Sequence, residues 1–451
     1  MTALPLSVSK GQGDTARGFS GSRYLDELND ADLIRTNGKV SQVIGTVIES
    51  NGPPMAIGET ASIAYRRTAK PVLAEAVGFR DAKVLLMPLG ELGGIAAGSD
   101  VVALGKPLQI GLSDALLGRV LDGLGRPIDE FGPIVHAKRA EVGGTPPSAL
   151  HRRRVTEPLG VGVRVIDGLL TVGKGQRAGI FAGSGVGKST VLGMIARNTA
   201  ADVNVIALVG ERGKEVRDFL ERDLGEAGLK RSVVIVATSD QPALVRIKAA
   251  FVATRIAEFF RDQGLDVMLM MDSVTRFAMA QREVGLAIGE PTTTRGYTPS
   301  VFALLPKLLE RTGTSEHGTI TALYTVLVDG DDMNEPVADA VRSILDGHIV
   351  LSRKLAAANQ YPAVDVLASV SRVMPDVVSK AQLASASAVR DVLATYKDAE
   401  DLVNIGAYVP GSNPRVDHAL ARIDAVRAFL RQGIYDGSTF ADAQRALGSL
   451  A

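Results

Sequence analysis

Residues 182–189 read AGSGVGKS. They follow the apolar run 178–181 and precede Val191, Leu192, Met194 and Ile195, which recur at the spacing of one helix face. A strand, a glycine-rich turn and a helix start, in that order, form the setting in which backbone wraps a polyphosphate. Gly183, Gly185 and Gly187, with Ser184 and Val186 between them, allow a tight turn whose N–H groups point inward. Lys188 can then reach β- and γ-phosphates, and the hydroxyl of Ser189, next to Thr190, can meet Mg²⁺. The spacing predicts a nucleoside triphosphate site. It departs from G-x-x-x-x-G-K-[ST] only at Ala182, which must therefore sit in ordinary backbone space. A glycine-rich turn that binds nothing is the alternative, and the complete spacing with these flanks argues against it.

A chain of 451 residues with 46% hydrophobic content has the length of about two or three domains, each with a sizeable core. Its 50 basic and 50 acidic side chains cancel, so no global field draws it to nucleic acid or an anionic membrane. The absence of cysteine excludes disulfides and thiol catalysis, and the five histidines stand in no metal-ligand spacing. Apolar runs such as 233–237 and 267–271 fall far short of the roughly 18 residues that span a bilayer. With no basic-then-apolar leader at the start, the expectation is a water-soluble cytoplasmic protein.

Residues 1–22, rich in Gly, Ser and Thr, read as a flexible tail, and 24–34 as a short amphipathic helical segment. From Lys39 to about Leu104, short apolar runs broken by Asn51-Gly52-Pro53-Pro54 and repeated glycines predict a small β-barrel of five or six strands, closing a domain at 23–104. Strand candidates at 178–181, 205–209, 233–237, 267–271, 320–328 and 349–351 then alternate with helical stretches, notably 242–261. That alternation predicts an α/β domain over 105–375, a mostly parallel sheet with helices on both faces. Beyond Pro375 no strand is expected; Ala419, Ile423, Val426 and Leu430 mark a helix over 414–432 in a closing helical domain, 376–451.

Two carboxylates extend the phosphate site. Glu211, in GERGKEV directly after the strand 205–209, is expected at the carboxyl end of a parallel strand beside the one carrying the loop, where it can orient and polarise a water against a γ-phosphate; a solvated charged loop is the alternative. Asp272 closes the run Val267-Met268-Leu269-Met270-Met271, as a buried strand delivers an acid to Mg²⁺, though strands also end in Asp to cap a turn. His151-Arg152-Arg153-Arg154, the densest basic cluster, reads as a solvated connector rather than a lipid or nucleic-acid site.

Residues 271–313, MDSVTRFAMAQREVGLAIGEPTTTRGYTPSVFALLPKLLERTG, together with GERGKEV (210–216), DGDDMNEP (329–336) and ILDGHIVLSR (344–353), resemble the ATPases of type III protein export. Those are relatives of the catalytic subunits of rotary F-type and V-type ATPases. The likeness runs from about Tyr24 to the end. DGDDMNEP is similar to the flagellar branch, while Pro291-Thr292-Thr293-Thr294-Arg295 departs from the family's proline- and alanine-containing version.

The resemblance implies a RecA-like P-loop domain and a homohexamer that hydrolyses ATP with Mg²⁺. It implies that Lys188 and Ser189 hold phosphates and metal, with Asp272 on the metal side, Glu211 as catalytic carboxylate and Arg212 beside the γ-phosphate. Tyr361 would stack on adenine and Arg372 would be an arginine finger reaching a neighbouring subunit, although by themselves a Tyr before Pro and an Arg in a turn read as packing and solvated residues. Implied partners are a stator-like regulator on the N-terminal segment, a coiled-coil stalk in the pore, chaperone–substrate complexes and a membrane export gate at which the ATPase sits peripherally. An injectisome ATPase is the neighbouring alternative. A hexameric nucleic-acid translocase would want a basic, aromatic face, which 4% aromatics, no Trp and zero net charge do not supply, so no nucleic-acid partner is expected. A non-catalytic rotary subunit is disfavoured by the intact Lys188, Glu211 and Asp272.

Overall fold

The computed structural model describes residues 36–64, 70–328, 330 and 332–450; the tail 1–22 and the amphipathic segment 24–34 lie outside them. Six strands close a barrel in the order β1 (Asn37–Ile44), β2 (Val47–Asn51), β5 (Lys83–Pro88), β4 (Val72–Arg80), β3 (Glu59–Ala64) and β6 (Asp100–Pro107). Val40, Ile48, Ile63, Val84, Leu86 and Val101 point inward and fill it, as alternation along each strand requires. Lys248 Nζ donates to Glu75 Oε1 at 2.7 Å and Arg80 Nη2 to the Ile288 carbonyl at 3.1 Å, fastening barrel to nucleotide domain.

The hairpin pair β7 (Gln109–Leu112) and β9 (Lys138–Glu141) brackets β8 (Val120–Asp122), and β10 (Pro158–Leu159) pairs with β11 (Val172–Gly173). The central sheet follows: β12 (Arg177–Ala182), β13 (Val203–Val209), β14 (Ser232–Ala237), β15 (Asp266–Asp272), β16 (Gly313–Thr314), β17 (Thr319–Leu327), β18 (Gly347–Leu351) and β19 (Val364–Ser371). Its order is β19-β18-β12-β17-β15-β13-β14-β8, with β16 alongside β17; β16 and β19 run antiparallel to their neighbours and the rest are parallel. The edge strands β8 and β19 were not expected from sequence, because one has three residues and the other carries Asp365, Ser369 and Ser371 in place of an apolar run.

Buried on both faces, the central strands split their side chains between two cores. Val267, Leu269 and Met271 pack with the Ala243–Arg261 and Val274–Ile288 helices on one face, and Met268 and Met270 pack with the Lys188–Asn198 helix on the other. After β19 the chain is helical: Lys380–Asn404, Pro414–Leu430 and Phe440–Gly448 cover the second face, with Ala419, Ile423, Val426 and Leu430 all buried. Among the described residues no helix is long and apolar enough to cross a membrane.

The basic cluster is a solvated connector at His151, Arg153 and Arg154, which are exposed, but Arg152 is half-buried and the cluster is tied to the nucleotide domain. Arg152 Nη1 donates to the Thr312 carbonyl at 2.7 Å and Arg153 Nε to the Ser315 carbonyl at 2.9 Å, the residues on either side of β16. Close by, Arg311 is 1% exposed and forks onto Glu258 with two 2.7 Å bonds, donating also to the Val142 carbonyl at 3.0 Å. This pair ties the Ala243–Arg261 helix, the start of β16 and the linker after β9 together. Arg311→Met leaves the Glu258 carboxylate buried and short of its fork, and should cost about 3–5 kcal/mol. Urea denaturation followed by circular dichroism measures this, and Arg311→Met with Glu258→Met should recover a large part of the loss; additive losses would mean the pair is not coupled.

Candidate active site

The site lies at the carboxyl ends of β12, β15 and β13, where a doubly wound sheet presents its loops. Ala182 ends β12 in extended backbone, as the departure from glycine demands. Gly185 and Gly187 take φ of +79° and +90°, and the Lys188–Asn198 helix starts at once, so its free N–H groups and dipole face the loop. Gly183 and Val186 are buried beneath the loop and Ser184 and Gly185 form its exposed crest, while Ser189 and Thr190 lie half-buried in the first helical turn.

Lys188 Nζ donates to Glu211 Oε1 at 3.3 Å and to Asp272 Oδ1, which also accepts from Thr325 Oγ1 at 2.7 Å. Glu211 and Asp272 are 7% and 4% exposed, so an ammonium sits between two nearly buried carboxylates. At Lys188 burial opposes the charged form, but the Asp272 and Glu211 carboxylates overcome it and raise the group above its ordinary value. Burial raises the Asp272 carboxyl, with Lys188 pulling it back and Glu211 adding to the rise. Burial likewise raises Glu211 against the pull of Lys188, with Glu215 reinforcing the rise and Arg276 opposing it.

The strand carrying Glu211 is not the neighbour of the phosphate-loop strand. β17 and β15 stand between β12 and β13, because the crossovers place the later strands inside the earlier pair. The three side chains still meet, since Asp272 ends β15, next to β13, and Lys188 reaches both acids.

Tyr361 belongs to the same end of the sheet. A Cβ on Gly187 would stand 3.6 Å from its ring, which is 42% exposed, and its carbonyl is held by the Gln432 N–H at 3.0 Å. Arg212 is not gathered in: its exposed guanidinium faces Glu215 at 3.6 Å. Besides Lys188, the cation acting on Glu211 is Arg276, which packs over Gly210 and whose buried Nε has no hydrogen-bond partner among the described residues. Ser273 accepts the Arg276 N–H at 3.3 Å and caps the Val274–Ile288 helix, so the residue's place in the first turn is fixed. Nothing but its position four residues after Asp272 marked it in the sequence.

Arg372 sits at the far end. β19 starts at Val364, opposite Leu351 and hence level with Ala182, and runs down to Ser371, opposite Gly347 at the foot of β18. Arg372 is therefore about the length of β12, some 20 Å, from its own phosphate loop. Within one chain it cannot touch that nucleotide.

A metal ion fits this donor set only in company with phosphates. Among the described residues no three His, Asp or Glu side chains cluster around a point, so Ser189 and Asp272 would hold Mg²⁺ together with phosphate oxygens and water.

Residues 162–371 match the ATP synthase alpha/beta family, nucleotide-binding domain; 40–105 match that family's beta-barrel domain; and 378–449 match the T3SS EscN ATPase C-terminal domain. The flagellum-specific ATP synthase of Bacillus subtilis (strain 168) is 56% identical over 429 residues, 94% of this chain and 98% of that protein. The type 3 secretion system ATPase of Xanthomonas euvesicatoria is 52% identical, over 90% of this chain and 92% of its own. The assembled ATPase EscN from the enteropathogenic E. coli type III secretion system superposes with a TM-score of 0.87 at 46% identity, covering 92% of this chain and 99% of EscN. In complex with its central stalk EscO the TM-score is 0.85 at 45% identity over the same shares. The chain belongs to the type III protein export ATPases, a branch of the ATP synthase alpha/beta family shared by flagellar and injectisome enzymes, and it is an ATP hydrolase.

Proposed function

We propose that this protein is the ATPase of a flagellar type III export apparatus. It assembles as a homohexamer around a coiled-coil stalk, peripherally on the inner face of the cytoplasmic membrane, and spends ATP hydrolysis on freeing export substrates from chaperones and passing them to the export gate. The observation that carries the enzymology is the Lys188–Glu211–Asp272 cluster, with Arg372 at the opposite end of the same sheet. Support for the flagellar branch comes from DGDDMNEP and the Bacillus subtilis relative; support for ring and stalk comes from the assembled EscN and its EscO complex. A stator-like regulator would dock on the N-terminal segment.

On binding ATP, Lys188 exchanges the two carboxylates for β- and γ-phosphate oxygens, while the loop N–H groups from Gly183 to Thr190 cradle the chain of phosphates. Tyr361 offers a ring face to adenine. Glu211, released from Lys188, orients the attacking water; the bond from γ-phosphorus to the bridging oxygen breaks, giving ADP, phosphate and a proton. Arg276, with its free Nε, faces charge developing on the γ-phosphoryl oxygens, and Arg212 joins it once turned from Glu215. Ser189 and Asp272 would hold Mg²⁺, which when bound would supply Lewis-acid stabilisation of charge on the phosphate oxygens.

Lys188→Ala should abolish hydrolysis, and Glu211→Gln should bind ATP yet turn over ~10²- to 10⁴-fold more slowly. Because Glu211 works deprotonated and its carboxyl is raised, turnover is full above that value and falls as pH drops through it. Glu211→Gln should flatten this acid limb, which a pH–rate profile of both proteins would show. Comparable turnover in Glu211→Gln and wild type would remove Glu211 from the mechanism.

The finger makes a separate demand. Arg372→Ala should bind ATP and assemble but lose roughly 10³- to 10⁵-fold in turnover. Mixing it with Lys188→Ala chains creates interfaces with an intact lysine facing an intact arginine, so two inactive proteins should partly restore each other. Without rescue in mixed rings confirmed by mass, Arg372 does not act in trans.

A further inference from the structure

Beneath the finger lies a buried amide that no step above uses. Gln176 is fully buried and immediately precedes β12, the strand whose other end carries the phosphate loop. Its Oε1 accepts the Gly173 N–H at 2.9 Å, and its Nε2 donates to the Asp346 carbonyl at 3.3 Å and to Ser371 Oγ at 3.2 Å. Ser371 Oγ donates onward to the Thr171 carbonyl at 2.8 Å, and the Asp346 carbonyl also receives the Arg372 N–H at 3.0 Å. The two hydrogens of one amide thus close on both sides of the Ser371–Arg372 peptide. Every donor and acceptor in this chain of bonds is satisfied, the condition under which a buried polar network rigidifies its surroundings.

Two further contacts fit a fixed base beneath a free tip. A Cβ at Gly347 would lie 3.1 Å from Gln176 Nε2 and 2.7 Å from the Val370 carbonyl, so glycine there admits the amide. The Asp346 side chain is itself clamped, accepting from Arg177 N and Nε at 3.1 Å and from Nη2 at 3.2 Å. The Arg372 guanidinium, by contrast, is exposed and donates a single hydrogen bond among the described residues, to the Leu345 carbonyl at 3.3 Å.

We infer that Gln176 is a positioning residue for Arg372: it sets the origin of the finger that completes a neighbour's site, and it does so from the foot of the strand that holds its own chain's nucleotide. The inference rests on the reading of Arg372 as a finger acting in trans. A group held at its root needs only its tip ordered on reaching the neighbour's phosphates, so losing the latch should slow chemistry without weakening ATP binding.

Turnover of the assembled full-length protein tests this. Gln176→Met keeps the length of the side chain and removes the donors, and Ser371→Ala removes the hydroxyl on the other side. Each should lower kcat about tenfold or more while KM for ATP stays within about twofold, and Ser371→Thr, which keeps the hydroxyl, should stay near wild type. Mixed with Lys188→Ala chains, whose latch and finger are intact, Gln176→Met should regain turnover, as Arg372→Ala should. A defect in its own phosphate loop could not be repaired by a neighbour. Failure of that rescue while Arg372→Ala is rescued overturns the positioning role and leaves the finger standing; failure of both overturns the finger. Wild-type turnover in both Gln176→Met and Ser371→Ala also overturns the inference, and if Gln176→Met does not fold, Ser371→Ala carries the same mixing test.

Discussion

One ammonium between two buried acids holds this site together. Lys188, Glu211 and Asp272 come from the ends of three different strands, and their hydrogen bonds exist only if β12, β15 and β13 are in register across the intervening β17. Two carboxylates this deeply buried would resist ionisation together, and Lys188 supplies the charge that makes their closeness tolerable. The same arrangement makes the resting site responsive. In the proposed mechanism a nucleotide's phosphates would compete for the lysine, and Glu211 would then lose its partner and become available to water.

The second constraint is the direction of β19. An antiparallel edge strand starts at the nucleotide end, close after Tyr361, and finishes at the opposite end with Arg372. In the proposed function one short segment would therefore serve two sites, adenine in its own chain through Tyr361 and phosphate in the next through Arg372. A ring is the natural consequence, because a finger that cannot reach home is useful only when every chain lends it onward. Gln176 fits the same logic, sitting at the foot of the strand that ends in the phosphate loop.

Much of this was legible in the sequence because it is local. The phosphate loop is eight contiguous residues, Asp272 closes an unbroken apolar run, and the Pro414–Leu430 helix shows its stripe at helical spacing. What escaped is non-local or mimics something ordinary. Strand order is set by crossovers, so the two strands separating Glu211 from the loop left no trace. Arg276 and Arg311 lie in or beside helices, where an arginine reads as a solvated face, yet one is half-buried beside Glu211 with its Nε sealed from solvent and the other fills the interior against Glu258. Arg152 and Arg153 read as solvent-facing charges, and Arg153 is exposed, yet both also donate to carbonyls roughly half the nucleotide domain away in sequence. The latch joins Gln176 to partners 170 and 195 residues downstream, a separation no periodicity reports.

The most direct test of this account is an experimental structure of the assembled protein with Mg²⁺ and a non-hydrolysable ATP analogue. The account predicts that Lys188 has left Asp272 and Glu211 for the phosphates, that Glu211 faces a water in line with the γ-phosphate, and that Arg372 of the adjoining chain enters from the interface. Lys188 still paired with both acids beside bound nucleotide, and no neighbour's arginine within reach of the γ-phosphate, would contradict it.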